Sequence, residues 1–111
     1  MSDPLAAAVL EHAVLPVRPG QSEAFERALE QALPLVEGIP GCRGVHVSRS
    51  LESPDTYLLL IGWDSVEAHT VGFRGSAQYA RWRELLHHFY EPFPSVEHYV
   101  AVTTPTGGTQ P

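Results

Sequence analysis

Three histidines occur where an imidazole could act as a base near neutral pH. His12 lies in the middle of a segment of alternating apolar residues, and His98 alternates with Val96 and Val100 in a similar segment. His69 lies near the start of a helical stretch. Imidazole titrates near neutral pH, so each side chain can accept or donate a proton. Each also has a structural explanation: a strand or subunit contact for His12, cross-strand pairing for His98, and a solvent-facing helix position for His69.

Aromatic side chains and one arginine could complete a pocket around such a base. Trp63 ends one strand pattern, and Phe73 and Trp82 follow at helical positions. Aromatic walls orient a ring-shaped ligand and exclude water, although aromatic residues at helical spacing more often belong to the core. Arg74 could hold an anionic group or pair with a surface glutamate. We therefore treat these four residues, with His98, as candidates for substrate binding.

The charged residues exclude several classes of function. The chain of 111 residues has a formal net charge of −6, and all seven of its basic residues are arginine. Binding to nucleic acid or to an anionic membrane surface needs clustered positive charge, so neither partner is expected. Because the chain contains no lysine, Schiff-base and pyridoxal chemistry are also excluded.

Cysteine and histidine spacing argue against cross-links and metal sites. The single cysteine, Cys42, allows no internal disulfide. Histidines do not occur in HxH or HxxxH pairs, so the sequence predicts no metal site. The N-terminal residues lack a positive flank and a long apolar run, and we therefore expect a cytoplasmic protein.

Hydrophobic periodicity predicts one domain of alternating strands and helices. Apolar residues at every second position indicate strands, and stripes with a 3.6-residue period indicate helices. Asp64 and Glu67 have the spacing of a helix capping box. In chain order, the predicted elements are strand 8–17, helix 21–36, strands 42–51 and 56–63, helices 64–74 and 76–90, and strand 96–102. We expect a domain at 8–103 between disordered tails at 1–7 and 104–111.

The strand at 56–63 is apolar on both faces. Its run from Tyr57 to Ile61 contains consecutive apolar residues, which is typical of a central strand covered on both sides. A small domain with few helices has little to cover the second face, and it gains stability when a partner does so. The pattern therefore indicates that a second subunit provides one of the two covers.

Short motifs follow one another between Val9 and Val102. They are Pro19-Gly20, Gly38-Ile39-Pro40-Gly41-Cys42, Trp63, Ser65-Val66-Glu67-Ala68-His69, Phe73-Arg74 and Val96-Glu97-His98-Tyr99. In this order they resemble the antibiotic biosynthesis monooxygenase (ABM) domain family. The set is more specific for the domain than for any one reaction.

The resemblance implies an α+β fold with a ferredoxin-like βαββαβ order, an antiparallel sheet and helices on one face. It also implies a homodimer in which the sheets of two subunits form a dimeric α+β barrel, and a pocket between each sheet and its helices. In this fold the last strand runs antiparallel to the first, which would make Glu11-His12 and Glu97-His98 neighbours. Such neighbours could form a paired base, a metal site or simple cross-strand contacts.

The family also implies a choice of functions. Some members oxygenate hydroquinones or polyphenols with O2 and without flavin or metal. If this chain does the same, it needs no cofactor. His12 and His69 are then the catalytic candidates, and Trp63, Phe73 and Trp82 shape the pocket. A non-enzymatic module that binds an aromatic metabolite is the alternative, because the chain contains no asparagine of the kind that active members use. Haem cleavage is disfavoured, because His12 stands where haem-cleaving members have asparagine.

Overall fold

One four-stranded antiparallel sheet forms the centre of the protein in the computed structural model, which describes residues 3–103. The strand order is β2-β3-β1-β4, with β1 at Val9–Pro16, β2 at Cys42–Arg49, β3 at Thr56–Trp63 and β4 at Val96–Tyr99. The two α-helices are α1 at Ser22–Glu37 and α2 at Ala77–Leu86. A π-helical segment spans Ala68–Phe73, and 3-10 turns span Pro4–Ala6 and His87–Phe89.

The strand pairing confirms the ferredoxin-like α+β fold. β1 lies between β3 and β4 and runs antiparallel to both. In this register Glu11 lies opposite His98, and His12 lies opposite Glu97, so the expected neighbourhood of these two pairs is confirmed. The last strand is shorter than predicted, because it ends at Tyr99 and the following valines are exposed.

Both α-helices pack on the same face of the sheet. The stripe of α1 that faces the sheet is buried, and it consists of Phe25, Ala28, Leu29, Ala32 and Val36. Opposite them lie the odd-numbered residues of β1 and β3, among which Ala13, Leu59, Ile61 and Trp63 are fully or almost fully buried. The predicted placement of the helices on one face is therefore confirmed, and the core lies between this face and the helices.

The other face of the sheet is largely open. Leu10 and Leu60 are only partly buried there, and Val14 is 48% exposed. The turn Pro4–Ala6 covers one end of this face, within the residues 1–7 for which a disordered tail was expected. A Cβ at Gly62 would lie only 2.7 Å from the Ala7 Cβ, so glycine allows this close approach. Residues 104–111, for which a disordered tail was expected, lie outside the described residues.

The segment between β3 and α2 differs from the short helix predicted for 64–74. The predicted capping box is wrong, because the Asp64 carboxylate instead accepts two hydrogen bonds from the Arg43 guanidinium, at 2.7 and 2.8 Å. The Ser65 hydroxyl accepts from the Ala68 N–H at 3.1 Å and begins the π-helical segment. Ser76 then caps α2, as its predicted helix start suggested, by accepting from the Tyr79 N–H at 3.1 Å.

Candidate functional site

A small cavity lies between the helix-covered face of the sheet and the second half of the chain. Its volume is about 80 Å³. Most of its wall is apolar or aromatic, and its ionisable groups include Glu11, His69, Arg74 and His87. A mostly apolar cavity with a few convergent polar groups has the usual character of a small-molecule site.

Glu11 is a buried carboxyl group on β1. Its side chain points to the helix-covered face with Ala13 and Leu15, and the residue is only 5% exposed. The Trp63 indole N–H donates a hydrogen bond of 2.9 Å to Glu11 Oε1. Burial raises the pKa of Glu11 from 4.5 to about 7, although the Trp63 hydrogen bond and the positive charge of Arg74 oppose this effect. Near neutral pH the group can therefore both take and release a proton.

His69 lies between Glu11 and the last strand. It is 3% exposed, and its ring stacks on Trp63 with the ring centroids 5.3 Å apart. His69 Nε2 lies 3.5 Å from Glu11 Oε1, and His69 Nδ1 lies 2.8 Å from Nε2 of His98. Burial, the charge of Arg74 and the proximity of His98 lower the pKa of His69 to about 3. The imidazole is therefore neutral at pH 7, and its contact with Glu11 is between a neutral ring and a carboxyl group.

Local sequence explains how the π-helical segment brings His69 to this position. A Cβ at Gly41 would lie 2.8 Å from the Ala68 Cβ, so glycine at the start of β2 lets the segment approach the sheet. On the other side, Phe73 packs edge-on against Trp82 with the ring centroids 5.5 Å apart. These two contacts hold the segment between the sheet and α2 and place His69 over Trp63.

Most of the residues singled out in the sequence meet at this site. His69, Phe73, Arg74 and Trp82 line the cavity, and Trp63 and His98 contact His69 directly. His69 is buried rather than solvent-facing.

His12 does not join this site. Strand alternation places it on the open face of the sheet, on the opposite side from Glu11. Its ring packs edge-on against Tyr99 with the centroids 5.4 Å apart. It lines a shallow depression with Val14 and Glu97 instead of the cavity that contains His69.

Glu11 was predicted only as a cross-strand neighbour of His98 and was not among the predicted catalytic or binding residues. A usable signal was present, because Glu11 alternates with the apolar residues Ala13 and Leu15 and so places a carboxylate among residues expected to be buried. Charged residues are seldom fully buried without a partner, which makes such a position informative. Tyr79, His87 and Tyr90 also line the cavity.

Glu11, His69 and His98 have the residue types of a two-histidine, one-carboxylate metal site. Their geometry does not fit one. His69 turns Nε2 toward Glu11 and Nδ1 toward His98, so the three groups do not converge on one point. Across residues 3–103, no group of three His, Cys, Asp or Glu side chains is placed to hold a metal ion.

Comparison with known proteins identifies the family. The family model for antibiotic biosynthesis monooxygenase matches residues 8–85. The chain belongs to the antibiotic biosynthesis monooxygenase family. The resemblance seen in the short sequence motifs is thereby confirmed. Over the part of the chain that the structure describes, this family member has no helix long and apolar enough to cross a membrane.

Relatives of this family member include close and distant ones. The uncharacterized protein YczJ of Bacillus subtilis (strain 168) is 45% identical over 91 residues, which cover 82% of this chain and 96% of YczJ. The crystal structure of a Bordetella bronchiseptica member of the family has a TM-score of 0.81 and 38% identity, and covers 86% of this chain and 97% of that one.

SnoaB from Streptomyces nogalater, a cofactor-independent oxygenase crystallised as a mutant, is a more distant structural relative. It has a TM-score of 0.74 at 14% identity, with 86% of this chain and 94% of that chain covered. At this identity the likeness shows the shared fold alone.

Proposed function

We propose that this protein is a cofactor-independent monooxygenase that uses O2 to oxidise a small hydroquinone-like or polyphenolic molecule. The observation that carries the proposal is a buried carboxyl group, Glu11, with a pKa near neutrality beside a neutral imidazole, His69, in the wall of an aromatic cavity. The shared fold with SnoaB, a cofactor-independent oxygenase, supports the reaction class.

The reaction begins with removal of a phenolic proton by the Glu11 carboxylate. The phenolate then passes one electron to O2, and the two radicals join to form a carbon–oxygen bond. The resulting peroxide takes one proton and loses water together with the hydrogen on the same carbon. Overall, a ring C–H and O2 give a quinone C=O and H2O, so atoms and electrons balance without a bound redox group.

The cavity supplies the three conditions that this chemistry needs. Glu11 provides the base. Trp63, Phe73 and Trp82 provide apolar walls that exclude water and orient the ring. Arg74 stabilises the anion that forms, and none of the ion pairs among residues 3–103 occupies its guanidinium.

The cavity must widen to accept such a substrate. Its volume of about 80 Å³ is below the roughly 150 Å³ of an engineered cavity that takes up benzene. Phe93 and Pro94 form part of the wall, and Phe93 is 61% exposed. Its ring packs against His87 with the centroids 4.9 Å apart. We propose that this stretch moves outward when substrate enters.

We also propose that the protein is a homodimer in which the open faces of the two sheets meet. These faces carry Leu10, Val14, Leu58 and Leu60, which a single chain leaves half-buried or exposed. A second copy would remove this apolar area from water, which is the main driving force for association of such faces.

The function is tested by oxygen uptake with a panel of quinols and polyphenols in chelator-treated, flavin-free buffer. We expect consumption of O2 with at least one substrate. We also expect a loss of about 100-fold or more in Glu11→Gln, as for removal of a general base. The Glu30→Gln variant is the matched control, since Glu30 is exposed on α1 and lies outside the cavity. Calorimetric binding of an aromatic ligand without turnover would instead indicate a binding module.

A further inference from the structure

We propose that His69 and His98 form a proton relay between Glu11 in the cavity and solvent at the edge of β4. The inference rests on the proposed function, because it supplies the route by which the substrate proton leaves the cavity and a proton returns to the peroxide. It assigns to His98 a role in proton transfer in place of direct contact with substrate.

The contacts form a continuous path from the cavity to the surface. Glu11 and His69 line the cavity, whereas His98 does not. His69 is 3% exposed and has no direct route to water, but its Nδ1 lies 2.8 Å from His98 Nε2. His98 is only half-buried, and it lies on β4, which is an edge strand of the sheet. The path therefore runs from Glu11 through His69 and His98 to solvent.

The first step of the path requires a small movement. The distance of 3.5 Å between Glu11 Oε1 and His69 Nε2 is longer than a good hydrogen bond. Hydrogen bonds used in catalysis are often long in the absence of substrate and shorten when it binds. An approach of less than about 1 Å would bring the two atoms to bonding distance.

Proton transfer along this path balances over one reaction cycle. Protonated Glu11 gives its proton to His69 Nε2, while the proton on His69 Nδ1 passes to His98 Nε2 and the proton on His98 Nδ1 passes to water. This leaves both rings neutral with exchanged tautomers. The proton that the peroxide needs returns by the same atoms in reverse order, and that return restores the original tautomers.

The charges around His69 favour a concerted transfer over a stable imidazolium. Three ionisable groups face the ring: Glu11 from β1, His98 from β4, and Arg74, which follows the same segment. Arg74 and the burial of the ring both oppose a positive charge on His69. A proton that enters on Nε2 therefore drives the release of the proton on Nδ1.

The alternative is that the contact between the two imidazoles merely anchors β4. Two variants separate these roles. His98→Gln retains a side chain that can hydrogen-bond to His69 but cannot pass a proton on. His98→Ala opens a space at a half-buried position that free imidazole can enter. His88→Ala is the control, because His88 is an exposed histidine outside the cavity and the relay.

The kinetic test compares these variants at pH 7 with the best substrate. We expect kcat to fall by about 10-fold or more in both His98 variants, with KM little changed, because proton transfer contributes at least that much. Added imidazole should restore His98→Ala and should not accelerate the wild type or His88→Ala. Wild-type kcat in His98→Gln, or a loss in His98→Ala that imidazole leaves unchanged, would overturn the relay.

A second readout needs no turnover. In protein labelled with 15N-histidine, the relay predicts that the ring N–H of buried His69 exchanges rapidly with water and that His98→Gln slows this exchange by about 10-fold or more. If the protein consumes no O2 but shows this slowing, the proposed function fails and the relay stands. Unchanged exchange in His98→Gln would overturn the relay even in an active enzyme.

Discussion

A buried carboxyl group such as Glu11 makes folding stability depend on pH. Its pKa rises from 4.5 in an exposed chain to about 7 in the fold, so the folded state holds the proton more tightly. The contribution to stability is complete below pH 4.5 and is lost as the pH rises to about 7. The loss amounts to about 3 kcal/mol at most. Either protonation state of Glu11 has an oxygen that can accept the hydrogen bond from Trp63.

We therefore predict that Glu11→Gln becomes more stable relative to wild type as the pH rises. Glutamine keeps an oxygen that can accept the hydrogen bond from Trp63 but has no charge to bury. The difference in unfolding free energy should change by up to about 3 kcal/mol between pH 4.5 and 7 and level off above it. Urea denaturation at a series of pH values measures it, with Glu30→Gln, at an exposed position of α1, as control. A difference that does not vary with pH would contradict the burial of an ionisable Glu11.

His69 gives the opposite dependence over an overlapping range. Its pKa falls from 6.5 to about 3 in the fold, so the stability it contributes is present above pH 6.5 and is lost as the pH falls toward 3. Between pH 4.5 and 6.5 the effects of Glu11 and His69 oppose each other. The wild-type slope should therefore be smaller than that of Glu11→Gln, which reveals the combined slope of His69 and of His87, whose pKa burial also lowers.

The sequence predicted His12 and His69 together as catalytic candidates, whereas the structure places only His69 in the cavity wall. Both faces of β1 carry apolar residues, with Leu10 and Val14 on one and Ala13 and Leu15 on the other. Alternation alone does not say which face the helices cover. The charged group at the site, Glu11, was therefore not distinguished from His12 until the structure placed the helices.

Among the elements, the π-helical segment determines where His69 lies, and Gly41 determines how closely this segment approaches the sheet. Gly41 has a φ of +91°, which is unfavourable for other residues. A side chain there would also collide with Ala68, at 2.8 Å.

We predict that Gly41→Ala destabilises the fold by about 2–3 kcal/mol, as the sum of backbone strain and steric overlap. Gly20→Ala is a matched control, since Gly20 has a φ of +81° but a Cβ added there would meet no atom within 4 Å. The control should lose only about 1 kcal/mol from backbone strain. Thermal or urea unfolding compares the two, and equal losses would show that the contact with Ala68 carries no cost.

The order and type of the other elements followed from hydrophobic periodicity, whereas the form of this segment did not. Periodicity reports which residues are buried, and π-helical and α-helical turns bury similar sets over six residues. The start of the segment depends on a long-range ion pair. Arg43 donates hydrogen bonds to the Asp64 carboxylate, and Ser65 therefore caps the segment in place of Asp64. Such a pair cannot be inferred from neighbouring residues in the sequence.

For the whole molecule, the central expectation is association through the open sheet face. Leu60 lies near the middle of β3 on this face, opposite His12 in β1 and His46 in β2. A charge at this position would have to be buried between two sheets at a cost of several kcal/mol.

We predict a dimer mass for the wild type at micromolar concentration and a folded monomer for Leu60→Glu. Light scattering after size exclusion measures both, and circular dichroism checks the fold. Leu51→Glu is the control, because Leu51 is 91% exposed and lies outside the strands. A wild-type monomer, or a Leu60→Glu protein that remains dimeric, would contradict the proposed interface.

The pH dependence of oxygen uptake in metal-free and flavin-free buffer tests the role of Glu11 most directly. If Glu11 is the base, kcat/KM of the wild type should rise with pH and level off above about 7. Glu11→Gln should show a rate lower by about 100-fold or more and no such rise. A Glu11→Gln variant with the wild-type rate and profile would contradict the assignment of Glu11, and so would a wild type that consumes no O2 with any phenolic substrate.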